Sequence, residues 1–222
     1  MGENKIMGAV FDMDGVLIDT EKLYVRFWKQ SAADFGYNMT DEHVFGIRSL
    51  ARKFANVKLK NMFGEEFPYA EVREHRTELM DEYIAEYGIE TKKGLFEMLG
   101  YLRENGIKIA VATATPKERA VKRLEEIGAL RYIDAVVGGD MVQNGKPEPD
   151  IYLMAASELG LPPENCAAFE DSPNGIKAAY SAGCHTVMIP DLTPPDDEIM
   201  PMLSAVYESL DKATAFFEDR RC

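Results

Sequence analysis

Residues Ile6-Met7-Gly8-Ala9-Val10-Phe11 form an apolar run that stops at Asp12, with Gly15 close behind. A short run of this kind, bounded by polar residues and a glycine, predicts a buried parallel strand. From Gly94 onward the pattern becomes regular. Helical periods over 95–105, 117–127, 150–159 and 173–182 alternate with short apolar runs at 107–113, 135–137, 166–169 and 186–189. Gly106, Gly128, Gly160 and Gly183 follow the four helical stretches, where a glycine stop is expected. Thr115-Pro116-Lys117-Glu118 reads as a capping box with proline at the first helical position, and Ser172-Pro173 repeats the cap-and-proline pattern. Strands alternating with helices predict an α/β fold, a doubly wound parallel sheet with helices on both faces.

The segment 21–90 has a different texture. It is rich in helix formers at helical spacing (Leu23, Phe27, Trp28, Ser31, Phe35) and contains no convincing strand. A helical piece placed between the first strand and the rest of the α/β rhythm reads as an inserted cap. The expected division is a core of 1–20 and 91–222 and a cap of 21–90, with a paired hinge near 19–21 and 90–94. Residues 190–201, with Pro194-Pro195, read as a polar loop, and there is no internal repeat or low-complexity tract.

Composition narrows the partners. The 222 residues, 46% hydrophobic, suit one domain with a modest insertion and can bury a real core. Lys and Arg total 25 against 38 Asp and Glu, a net charge of −13. Such a surface repels nucleic acid and anionic membranes, so an anionic ligand needs a local positive site. No apolar stretch is long enough to span a bilayer. The N-terminal residues match neither a signal peptide nor a myristoylation site, because Ile6 stands where Ser or Thr is required. Cys166, Cys184 and Cys222 are odd in number and lack metal-ligand spacing. The first two read as buried thiols, and Cys222 is too near the end for a prenylation box. A cytoplasmic setting is the default, and the oligomeric state is open, with a monomer the simplest expectation.

In an open parallel sheet, ligands bind outside the carboxyl ends of the strands. The residues that follow each apolar run therefore make up the candidate site. Asp12 and Asp14 follow the first; at i and i+2 of an extended segment they face one spot. Thr113, with Ala114 after it, ends the second run. Glu170 and Asp171 end the run at 166–169, and Lys146 lies between units in Gly145-Lys146-Pro147. Each has an ordinary explanation alone: acids in a turn, a helix cap, a surface lysine, a capping pair. Together along one sheet edge they suit phosphoryl transfer through an aspartate. A carboxylate attacking a phosphate dianion needs a cation between the charges, and Mg²⁺ takes one or two carboxylates while keeping waters. Asp12 and Asp171 supply those, with Glu170 beside them. Lys146 would hold the phosphoryl oxygens and the nucleophile, and the Thr113 hydroxyl and the Ala114 backbone N–H would donate to those oxygens too. Asp12 would be the nucleophile, and Asp14 would protonate the leaving oxygen and then deprotonate water.

The string Asp12-Met13-Asp14-Gly15-Val16-Leu17-Ile18-Asp19-Thr20 resembles the first motif of the haloacid dehalogenase superfamily. Thr113 matches its second motif, Lys146 in Gly-Lys-Pro-Glu-Pro-Asp its third, and Glu170-Asp171-Ser172 its fourth. The spacing is similar to the β-phosphoglucomutase-like phosphatases. The resemblance implies a Rossmann-like core, a helical cap after the first strand, Mg²⁺, the roles given above, and the Asp14 carbonyl as a further metal ligand. In the sugar mutases of the family a histidine of the following helix takes part; here Tyr24 stands there, and a phenol titrates too high to replace an imidazole. Their cap arginine, which grips the distal phosphate, has a counterpart shifted by one residue in Gly46-Ile47-Arg48-Ser49. The expectation is thus a Mg²⁺-dependent phosphatase for a small phosphorylated metabolite such as a sugar phosphate, with Arg48 and Tyr24 as cap contacts. A β-phosphoglucomutase-type mutase is the alternative. A receiver-like signalling module is a third reading, expected to carry its phospho-acceptor mid-sheet and to need no helical insert. Lys22 and Arg26 could also face the cleft, and Asp140 could orient Lys146. His43, His75 and His185 have no partner at ligand spacing and read as surface or packing residues.

Overall fold

A computed structural model describes residues 5–218; the readings that touch the first four residues or Cys222 lie outside them. The apolar run at the start folds as strand β1 (Gly8–Phe11). Its side chains alternate between two buried layers: Ala9 and Phe11 enter one apolar cluster and Val10 the other. Burial on both faces is why this strand reads as a continuous apolar run rather than an alternating one. The later runs form β2 (Lys108–Thr113), β3 (Ala135–Gly138), β4 (Cys166–Glu170) and β5 (His185–Met188). A two-residue β6 (Ala205–Val206), too short to leave a periodic signal, completes the sheet.

All pairings are parallel, in the order β3-β2-β1-β4-β5-β6. The first strand of the chain is thus central in space, with Phe11 in register with Val111 on one side and Phe169 on the other. A mid-sheet acceptor consequently does not set a receiver apart from this chain. Chain order and the helical insert do.

Between β1 and β2 come α1 (Glu21–Asp34), α2 (Asp41–Phe45), α3 (Arg52–Phe63) and α4 (Tyr69–Tyr87), then α5 (Leu95–Glu104). The first four bury two apolar clusters of their own, around Trp28, Leu59 and Phe67 and around Leu23, Phe27 and Met80. The connections into and out of this group run side by side. Ile18 bridges Thr91, and the Asp19 N–H donates to the Glu90 carbonyl at 2.8 Å.

The remaining helices are α6 (Lys117–Glu126), α7 (Asp150–Glu158), α8 (Pro173–Ser181) and the short α9 (Leu210–Ala213) and α10 (Ala215–Glu218). Residues of α5, α6, α9 and α10 join the cluster of Phe11, and those of α7 and α8 join that of Val10. This is the three-layered, Rossmann-like architecture expected. Element ends differ from the sequence reading by one or two residues, as helix fraying allows.

Ser172 caps α8 as expected, its hydroxyl accepting from the Gly175 N–H at 3.1 Å. The Thr115 capping box does not form. Asp140 instead accepts from the Lys117 N–H at 2.8 Å, which satisfies the start of α6 and removes Asp140 from Lys146. Cys166 and Cys184 are buried and unbridged, and burial pushes the thiols up to about 11 and about 12. Among the described residues no helix is long and apolar enough to cross a membrane.

Candidate active site

Since β1 and β4 are neighbours while β1 leads to helices on one side and β4 to helices on the other, the strand order reverses here. A crevice opens at such a point. Asp12 leaves β1 held by its N–H to the Phe169 carbonyl at 2.9 Å. Its Oδ1 accepts from the Lys146 ammonium at 2.5 Å. The other two donors of Lys146 go to Glu170 Oε1 at 2.6 Å and to the Ala112 carbonyl at 3.1 Å. All three N–H bonds of that ammonium are therefore spent, and in this geometry Lys146 acts as a charge that fixes Asp12.

Glu170 is saturated as well. Tyr152 donates to Oε1 at 2.6 Å, and the Asp171 N–H and the Ser172 hydroxyl reach Oε2, each at 3.2 Å. A carboxylate offers about four acceptor sites, so Glu170 anchors its neighbours. Gly175 is required opposite it, because a Cβ there would run into the Glu170 carboxylate. Gly15 is constrained twice: its φ of 86° lies in the left-handed region, and a Cβ would collide with Asp171.

Asp12, Glu170 and Asp171 offer carboxylate oxygens that all lie within 4.8 Å of one another, and all three side chains are buried. Burial resists ionising Asp12 and pushes its pKa up; Lys146 pulls it down, while Glu170, Asp171 and Asp14 push it further up. Burial likewise raises Asp171 to about 7, against the pull of Arg48. For Lys146, burial alone would favour the neutral amine, but Asp12 and Glu170 outweigh it and hold the ammonium charged. The buried acids of this region are Asp12, Asp14, Glu21, Glu170 and Asp171. The buried cations in contact with them are Lys146, Arg48 and Arg123, so negative charge is in formal excess by two. Asp171 Oδ1 is buried with no hydrogen-bond partner. An all-oxygen donor set with excess negative charge and an orphaned carboxylate oxygen fits a hard divalent cation.

Asp14 lines the same cleft as Asp12 but has its own partners. Its Oδ1 accepts from the Thr20 hydroxyl at 2.5 Å and from Arg123 Nη1 at 3.2 Å, and its Oδ2 from the Thr115 hydroxyl at 3.1 Å. Thr115 is thus drawn off helix capping by a buried carboxylate. The sequence reading missed Thr20, Thr115 and Arg123. Arg123 left one usable signal: it stands three residues after Ala120 and beside Leu124, on the buried face of α6.

Asp12, Asp14, Thr113 and Ala114 line one cleft with Tyr24 and Arg48 of the helical insert. The Thr113 Oγ1 accepts from the Thr115 N–H at 3.1 Å, which leaves its own proton to donate. Tyr24 lies 3.4 Å from Arg123 Nη1. Arg48 is not free. Its Nη2 donates to the Asp171 carbonyl at 2.6 Å and to Asp171 Oδ2 at 3.0 Å, and Glu21 lies 3.6 Å from Nε. Lys22 and Arg26 do not line the cleft: Lys22 pairs with Asp19 and Glu90 at the surface, and Arg26 covers the rings of Phe27 and Tyr83.

The profile of the haloacid dehalogenase-like hydrolases matches residues 6–183. The phosphorylated carbohydrates phosphatase of Thermotoga maritima is 35% identical over 185 residues, which cover 81% of this chain and 82% of that one. Hexitol phosphatase A of Escherichia coli is 31% identical over 213 residues, 93% of each. Among solved structures, the β-phosphoglucomutase of Clostridium difficile superposes with a TM-score of 0.81 over 97% of this chain and 96% of its own, at 23% identity, a likeness of fold. The match runs through both sides of the cleft, from β1 to α8, and it makes this chain an enzyme of the haloacid dehalogenase-like hydrolases, with the fold of their β-phosphoglucomutase-like branch.

Proposed function

We propose that the chain is a Mg²⁺-dependent phosphatase that hydrolyses a small phosphorylated metabolite, a sugar phosphate among them, through an aspartyl-phosphate on Asp12. The observation that carries this reading is the Asp12–Lys146–Glu170 chain of contacts beside Asp171. A carboxylate fixed in direction by one buried ammonium is set up as a nucleophile. The relatives named for phosphorylated carbohydrates and hexitol phosphate support the sugar class. The same reading divides the chain into a core of 1–20 and 91–222 and a cap of 21–90.

Asp12 and Asp171 would hold Mg²⁺, with Glu170 supporting from beside them. When bound, the cation supplies positive charge between the attacking carboxylate and the phosphoryl oxygens. The residues do the rest. An Asp12 oxygen attacks phosphorus while the Thr113 hydroxyl and the Ala114 N–H receive phosphoryl oxygens. The bond to the leaving oxygen breaks, and Asp14 delivers the proton that this oxygen needs. Asp14, ionised again, takes a proton from the water that attacks the phosphoaspartate, releasing phosphate and restoring Asp12. Thr20, Thr115 and Arg123 hold the Asp14 carboxylate between these steps. Tyr24 in place of an imidazole favours hydrolysis over mutase chemistry.

The test supplies β-glucose 1-phosphate with a trace of glucose 1,6-bisphosphate and follows both products. Free phosphate is expected to appear faster than glucose 6-phosphate; the reverse order would establish the mutase instead. A single stoichiometric phosphorylation without turnover would favour the receiver-like role.

Metal binding leaves a second signature. In metal-free protein Asp171 holds its proton up to about pH 7, whereas in the unfolded chain it ionises near 3.8. Between those values the folded state binds more protons, so stability falls as pH rises, by on the order of a few kcal/mol. Mg²⁺ takes deprotonated carboxylates, so its stabilising effect is expected to grow across the same interval. Melting curves near pH 5 and near pH 8, with chelator or with excess Mg²⁺, measure this. An equal Mg²⁺ shift at both would reject the assignment.

A further inference from the structure

The roof of the cleft has the opposite charge from its floor. Arg52, Arg73 and Arg76 line it beside Arg48, and Arg119 lines the same cleft from α6. Arg48 is paired in charge with Asp171 and Glu21, although its Nε has no hydrogen bond, and Arg119 is paired with Asp81 at 3.0 Å. Among the described residues no carboxylate lies within ion-pair distance of Arg52, Arg73 or Arg76, although the chain carries 38 acids.

Arg76 is the most telling of the three. It is 5% exposed, its guanidinium sits over Tyr24 at 4.8 Å and Trp28 at 5.0 Å, and its one hydrogen bond is a long one to the Met80 sulfur. Its Nε is buried with no partner. A guanidinium buried without an anion is costly, and the two rings fix where it points without neutralising it. Arg73 is half-buried on the same helix, one turn earlier. Burial, with Arg76 and Arg52 nearby, pulls its pKa down to about 10, which still leaves it charged at neutral pH. Like charges gathered in a partly dry cleft are stable when an anion joins them.

We propose that Arg52, Arg73 and Arg76 form a second anion subsite on the cap side of the cleft, and that the substrate carries a second anionic group, carboxylate or phosphate, besides the phosphoryl group delivered to Asp12. This rests on the phosphatase reading and narrows it. Arg48, the residue that the family resemblance assigns to a distal phosphate, is occupied by Asp171; the cations with no carboxylate partner among the described residues are elsewhere, on α3 and α4. The two ends of the cleft then differ in sign, acids with a metal at one and guanidinium groups at the other, so one molecule enters in one orientation.

The experiment compares kcat/KM for glucose 6-phosphate, 6-phosphogluconate and glucose 1,6-bisphosphate, with p-nitrophenyl phosphate as a substrate lacking a second anion. The wild-type protein is expected to favour at least one doubly anionic sugar over glucose 6-phosphate by about tenfold or more, and the favoured one tells carboxylate from phosphate. In Arg73→Met that preference should collapse toward one, while Arg73→Lys retains part of it; a melting curve establishes that both are folded. Turnover of p-nitrophenyl phosphate with no preference in the wild type would overturn the subsite and leave the phosphatase intact. A preference that survives in folded Arg73→Met would also overturn it. Failure to hydrolyse any of the four would instead remove the phosphatase reading on which the subsite rests.

Discussion

Asp12→Asn protein should lose at least about 10³-fold in kcat and keep its fold, because an amide of almost the same shape cannot serve as the nucleophile. The side chain is buried, and its ionised form is opposed by burial and by three neighbouring acids, so a neutral amide is not a burden to the folded state. Its contact with Lys146 survives as a hydrogen bond from the ammonium, still paired with Glu170, to the amide oxygen. Turnover of p-nitrophenyl phosphate with excess Mg²⁺ is the measurement, with a thermal melt alongside. Wild-type turnover by a preparation free of deamidated protein would end the case for Asp12 as the attacking group.

Lys146→Met should do the opposite to stability. The ammonium is buried and is the charge shared by Asp12 and Glu170, at 2.5 and 2.6 Å. Methionine fills similar space but leaves both carboxylates without a counter-charge, a loss on the order of 3–5 kcal/mol. For a chain of this size that lowers the melting temperature by on the order of 10 °C. Acidification should narrow the deficit, since protonated carboxyls no longer need the lysine. Adding Asp12→Asn to Lys146→Met should recover part of the loss, which a double-mutant cycle reads as coupling between the two. Unchanged stability between about pH 5 and pH 8 would mean that the ion pairs contribute little.

The bond partners of Asp12 and Asp14 illustrate what could be read in advance. That both acids stand beyond the first strand followed from the apolar run before them, and that Glu170, Asp171 and Thr113 share the same sheet edge followed from the strand–helix rhythm. Lys146 lies in a loop with no period of its own, so its approach to Asp12 rested on motif order. Partner choice was less legible. Thr115 looks like a helix cap in one dimension but donates to Asp14, and Asp140 takes over the cap. Arg48 reads as a substrate contact and lines the cleft, but it is also tied to Asp171, and Arg123 is marked only by its place on the buried face of α6.

The sequence by itself determined the parallel α/β core, the helical insertion after the first strand, and the set of acids gathered at one rim, because hydrophobic period and strand ends are local properties. Only the tertiary structure decided which cation meets which acid, and that among the described residues Arg52, Arg73 and Arg76 meet none. Those outcomes depend on how α1, α3 and α4 pack over the sheet edge, where an ångström of displacement decides whether an arginine finds a carboxylate or faces the cleft.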